Sequence, residues 1–183
     1  GTRVVFARTG LVVSARGGAF GKLLPLFKLG LGGVIGSGKQ YWPLISMTDE
    51  VRAIEFLLTH EVSGPVNLTA PQVPTNRDVT KSLASALKRP ALLPVPGFAL
   101  HIVLGEFASG ITGGAKVLPR VLESAGFVWQ HPSVDDIVRA LMVEGAEHAE
   151  RVALEQRERD NLEVQVDRRT RELTDLAQHL QRV

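Results

Sequence analysis

The run Gly32-Gly-Val-Ile-Gly-Ser-Gly-Lys-Gln40 is the stretch most suggestive of chemistry. From Gly33 it spells G-x-x-x-x-G-K, one residue short of a phosphate-cradling loop. Such a loop needs a Ser or Thr hydroxyl for Mg²⁺ after the Lys, and it runs from a buried strand into a helix. Gln40 carries no hydroxyl. Upstream, 20–29 reads as a short amphipathic helix. Downstream, Tyr41-Trp-Pro-Leu-Ile45 reads as extended. The stretch is therefore expected to be a glycine-rich connection that binds no ATP. Gly30-Leu-Gly-Gly-Val-Ile-Gly36 also misses G-x-G-x-x-G, because Ile35 holds the third glycine's place.

Other reactive side chains do not cluster by spacing. His60, His101, His131, His148 and His179 are scattered, with no H-E-x-x-H, and are expected at the surface or its boundary. No G-x-S-x-G elbow exists. Asp49-Glu50 and Asp135-Asp136 fall at helix starts, where acids answer the helix dipole. Trp42 and Trp129 are expected in the core or in a pocket wall. With no Cys, disulfides and thiolate chemistry are excluded.

These residues need a scaffold, and 183 residues with 44% hydrophobic and 22% charged content supply one. A formal charge of +2 is too small to argue for nucleic acid. No apolar run is long enough for a membrane span, and the expectation is a cytoplasmic protein.

Along the chain, 2–8 reads as a buried strand, so a sheet is expected to continue upstream. A second extended piece covers Leu11 to Ser14, followed by the helix at 20–29. Thr48 is expected to cap the next helix, with Val51, Ile54, Leu57 and Leu58 as its apolar stripe. A strand at 66–68 and a helix capped by Thr75 or Asn76 follow, the latter with Val79, Leu83, Ala86 and Leu87 on one face. An edge strand is expected at 92–96, helices at 98–107 and 117–124, and a short helix capped by Ser133. Strands alternating with helices make an α/β body.

The composition shifts at Gly145. All 18 Gly and all 10 Pro lie at or before it, and no aromatic residue follows. Beyond it, Leu162, Val166, Leu173, Leu176, Leu180 and Val183 recur at four and three, with Arg169 at one seam position. That repeat predicts a helical tail that dimerises as a coiled coil. The expected domains are 1–88, 89–144 and the tail 145–183.

Longer phrases carry a resemblance. Val4-Val-Phe-Ala-Arg-Thr-Gly10, Gly17 to Gly33, Gly36 to Gln40, Gly64 to Pro71, and Arg89 to Pro96 resemble the extended short-chain dehydrogenase/reductases. The branch is the NAD-dependent epimerase/dehydratase-like "epimerase family proteins". Gly105 to Pro132 resembles that branch's C-terminal domain of unknown function. The resemblance implies a truncated Rossmann-type epimerase fold: a late strand, then the substrate-side and C-terminal domain, then the helical tail. It implies NAD or NADP as cofactor, with Arg8, Thr9 and Gly10 at the nicotinamide end and Gln40, Ser46 and Asn76 on the substrate side. Ser46 stands where His is common in the family. The family's glycine-rich cofactor loop and catalytic Tyr belong to its first half and have no counterpart here. The expectation is a fragment inactive alone, with no catalytic residue and no cofactor bound. Asp167 to Leu176 resembles the signalling helix of sensor histidine kinases. The alternative function is accordingly a non-catalytic module dimerising through its tail.

Overall fold

A computed structural model describes residues 2–91 and 114–180, with side chains to residue 170. The expected elements at 92–96 and 98–107 lie outside the described residues. The chain divides into two units, Gly1–Gly145 and Ala146–Val183.

The first unit holds two parallel strand pairs. β1 (Val5–Thr9) pairs with β4 (Gly64–Leu68), and β2 (Leu11–Val13) pairs with β3 (Leu44–Ser46). Gly10 is the pivot where the chain leaves one pair for the other. Its N–H donates to Leu68 O at 3.0 Å, and Leu11 N–H donates to Pro43 O at 2.7 Å. A Cβ on Gly10 would run into the Pro43 carbonyl oxygen and the Thr69 methyl, so only glycine fits this crossing.

Four helices complete the unit's described elements: α1 (Gly18–Lys28), α2 (Met47–Thr59), α3 (Asn76–Leu87) and the single turn α4 (Arg120–Ser124). α5 (Val134–Leu180) begins here and supplies the second unit. α3 starts as its sequence dictates. Thr75 and Asp78 form a reciprocal capping box, and Lys88 ends the helix in the left-handed region at φ 51°. One apolar core gathers Phe20, Phe27, Trp42, Leu44, Val79, Leu83 and the Ile137–Leu141 turn of α5. A second gathers Ile45, Ala53, Leu57, Val66, Leu68, Leu122 and Phe127.

Four expectations are corrected. The opening strand is not buried: Phe6 is 61% exposed, because among the described residues β1 pairs along one edge only. α2 is capped by Ser46, whose Oγ accepts the Asp49 N–H at 3.1 Å, rather than by Thr48. Its buried face is Asp49, Glu50, Ala53 and Leu57, while Val51, Ile54 and Leu58 stay open to solvent. The last helix is not short. Ser133 caps it through Asp136 as expected, but it runs on past Gly145. A Cβ at Gly145 would lie in ordinary contact with Ala15 and Leu24, so packing there does not require glycine.

In the second unit, residues 149–170 are exposed throughout. Pairs one turn apart, Arg151–Glu155 at 3.8 Å and Gln156–Asp160 at 2.8 Å, support that helix along its own surface. Among the described residues no helix is long and apolar enough to cross a membrane.

Candidate functional site: a cationic cleft at the strand ends

In a parallel sheet the carboxyl ends of the strands are where ligands bind. Here those ends, Thr9-Gly10 of β1 and Leu68-Thr69 of β4, lie beside a cleft of about 590 Å³. Arg8, Thr9 and Gly10 all line it, together with Asn67, Thr69 and the stretch Lys116 to Val121. The register sets Arg8 beside Asn67. Asn67 Nδ2 donates to Leu118 O at 3.0 Å and so ties the Lys116–Arg120 stretch to β4. Gly114 abuts the Tyr41 backbone too closely for any side chain, and Lys116 lies 5.6 Å over the Tyr41 ring.

Beneath the cleft, Thr9 Oγ1 donates to Glu50 Oε1 at 2.8 Å. Glu50 is 7% exposed, and its Oε2 has no partner among the described residues. Burial holds its pKa above the ordinary carboxylate value, and the Thr9 hydroxyl only partly offsets that.

The three residues expected on the substrate side do not line this cleft. Asn76 is buried, and its Oδ1 accepts Ile35 N–H at 2.8 Å. Gln40 Nε2 donates to Ile35 O at 3.0 Å, and its own carbonyl accepts Asn76 N–H at 2.9 Å. Together they fasten the glycine stretch, which turns through Gly36 and Gly38 at φ 55° and 68°. No helix starts at Lys39, which is exposed. Ser46 is buried at the N-terminus of α2 and meets His131 Nδ1 at 2.9 Å.

His131 therefore belongs to a network that spacing did not reveal. Asp49 is fully buried and accepts from Gln130 N–H at 2.9 Å, His131 N–H at 2.8 Å and Arg52 Nη1 at 2.9 Å. This is not a nucleophile with its base. Ser46 Oγ is committed to the helix cap, and both Ser46 and Asp49 approach the same ring nitrogen, Nδ1. The network locks the 127–133 stretch onto α2, aided by Trp129 Nε1, which donates to Thr69 O at 3.0 Å. Among the described residues no three His, Asp or Glu side chains could hold a metal ion.

The cleft lining includes Arg8, Thr9 and Gly10, which the resemblance singled out, and Asn67, Thr69, Lys116 and Arg120, which the sequence reading did not name. The only hint was Leu118-Pro119, which lies between the two cations.

Comparison with known proteins gives the following. Residues 95–147 match the family described as domain of unknown function DUF1731. The epimerase family protein ML0860 of Mycobacterium leprae is 44% identical over 138 residues, which are 74% of this chain and 45% of that protein. Epimerase family protein SDR39U1 of Mus musculus is 38% identical over 135 residues, 73% of this chain and 46% of that protein. The chain thus spans about half the length of these relatives. Among solved structures, human epimerase family protein SDR39U1 with NADPH superimposes with a TM-score of 0.71 at 34% identity, over 76% of this chain and 48% of that one. Bordetella bronchiseptica WbmG in complex with NAD and UDP shares the fold at a TM-score of 0.57 and 14% identity, over 80% of this chain and 46% of that one.

Proposed function

Because the body of this chain is homologous to epimerase family proteins over about three quarters of its length, we propose that residues 1–145 form the substrate-side half of an NAD(P)-dependent epimerase or oxidoreductase. One observation carries the reading. The carboxyl ends of β1 and β4 open on a cleft lined by Arg8, Thr9 and Gly10, and in such sheets that is the end where dinucleotides lie. Arg8, Thr9 and Gly10 border the nicotinamide. Gln40 and Asn76 act on the substrate side by fixing the glycine stretch, and Ser46 by fixing the start of α2.

The pyrophosphate of such a cofactor rests on a glycine-rich turn at a helix N-terminus. Residues 1–183 hold no G-x-G-x-x-G turn. The 183 residues alone therefore bind NADPH only weakly and turn nothing over. The test is a chimera in which the unmatched half of the Mycobacterium leprae relative precedes residues 1–183. Calorimetry should find saturable NADPH binding to the chimera and none to the 183 residues alone. A folded chimera that ignores NADPH would refute the reading.

A second reading concerns residues 146–183 as a dimerising helix, with the seam Leu162, Val166, Leu173, Leu176, Leu180 and Val183. The observation favouring it is that Leu162 and Val166 stand 63% and 56% exposed on a helix whose described side chains from 149 onward are all open. The side chains beyond 170 lie outside the described residues. This reading gives the protein a partner in a second copy of itself, whatever its body does.

A further inference from the structure

One seam of α5 steps by four and three residues from Leu162 through Val166, Arg169, Leu173 and Leu176 to Leu180. Its first three residues, Leu162, Val166 and Arg169, are all exposed. A seven-residue repeat of this kind is covered by a second helix, but the repeat alone leaves open which way that helix runs. Arg169, the one charge among these six seam positions, distinguishes the two directions.

In a parallel pair each seam residue meets its own copy. Arg169 would then face the second copy's Arg169 between the layers of Val166 and Leu173, and two like charges brought together out of water are costly. The flanks oppose that direction as well. Glu158 and Glu163 border the seam five residues apart, the spacing at which flanking residues meet across a parallel pair, so carboxylate would meet carboxylate on both sides. An antiparallel pair centred on residue 171 removes both conflicts. It sets Leu162 against the second copy's Leu180, Val166 against its Leu176 and Arg169 against its Leu173. Glu172 of the second copy, next to that leucine, then comes beside Arg169. The arginine stem lies on leucine while its guanidinium reaches a carboxylate, and two-fold symmetry repeats the pair.

We infer that α5 pairs with a second copy of this chain as an antiparallel coiled coil centred on residue 171, in which Arg169 pairs with the second copy's Glu172. The inference rests on the reading of residues 146–183 as a dimerising helix, and it adds the direction, the register and the ion pair that fix them. The two helices enter the pair from opposite ends.

The full chain has no Cys, so single cysteines report the direction without background. Leu162→Cys and Leu180→Cys chains are oxidised separately and as an equal mixture, and the parent's mass is followed by sedimentation. In the inferred pair the two copies of residue 162 lie about 27 Å apart at 1.5 Å per residue, far beyond disulfide reach. The mixture should therefore cross-link and neither variant alone should. Val166→Cys with Leu176→Cys should behave the same way, which keeps the test valid if one of the outer substitutions loosens the seam. Glu172→Arg should weaken the parent's association about tenfold. Either single variant cross-linking to itself would overturn the direction and leave the dimerising tail standing. A dimeric parent whose cysteine pairs cross-link neither alone nor mixed would overturn the register, and unchanged association of Glu172→Arg would overturn the ion pair. A parent that stays monomeric at high concentration would remove the tail reading and this inference with it.

Discussion

Thr9 and Glu50 are joined by a 2.8 Å hydrogen bond that runs from the floor of the cleft to the first turn of α2. The pairing sets two effects against each other. A carboxylate in a helix's first turn is favoured by the dipole. Burial to 7% exposure disfavours it, and burial wins, since the Glu50 pKa lies above its ordinary value. The sequence suggests only the first effect.

Glu50→Gln should therefore raise stability near neutral pH. A carboxyl whose folded pKa is raised contributes stability that is present below its unfolded pKa and lost as pH rises through the folded one. The glutamine keeps an acceptor for Thr9 and carries no charge at any pH. Urea unfolding of both proteins should show the variant more stable at about pH 7, with the gap closing on acidification. A gap that widened in acid would contradict the assignment.

Gly10→Ala should destabilise the body by about 1–3 kcal/mol, as overpacking does, because its Cβ meets the Pro43 carbonyl and the Thr69 methyl. Gly17→Ala is the control. Nothing lies within 4 Å of a Cβ there, so the change costs only the poorer fit of Ala as the α1 N-cap, no more than about 1 kcal/mol. Equal urea midpoints for the two variants would refute the crossing as drawn.

Thr75→Ala should cost about 1 kcal/mol by removing the α3 cap. The Thr75 hydroxyl and N–H hold Asp78 below its ordinary pKa. That contribution is present above the unfolded pKa and lost as pH falls through the folded one. The variant should accordingly lose less stability on acidification than the parent, as read from urea midpoints across the acid range.

Local chemistry made much of this legible. Thr75 and Ser133 cap helices as the sequence implies, because a hydroxyl followed three residues later by an acid leaves few alternatives. Arg8-Thr-Gly10 lies at the strand end where the family resemblance puts it. The same spacing points to Ser46, three residues before Asp49, whereas Thr48 has Val51 there; the expectation of a cap at Thr48 passed over that signal. The apolar stripe of α2 misled, because Val51, Ile54 and Leu58 turn outward while Asp49 is held inside by two N–H groups from 81 and 82 residues away. His131, Lys116 and Arg120 reach their places only through the fold, and no local pattern marks them.

The tail's repeat predicts self-association. Residues 146–183 should gain helicity and mass with concentration, modestly, since Arg169 occupies a seam position and must carry its charge out to water. Sedimentation beside a Leu173→Asp, Leu180→Asp double variant decides it. Two monomers of equal, low helicity at high concentration would reduce the tail to a charged, solvated extension.

The most direct measurement is a crystal structure of the NADPH-bound chimera. The account predicts the nicotinamide ring in van der Waals contact, within about 4 Å, of Thr9 and Gly10, with the pyrophosphate held wholly by the relative's half. A nicotinamide lying against the 32–40 glycine stretch, or touching no residue of 8–10, would contradict it.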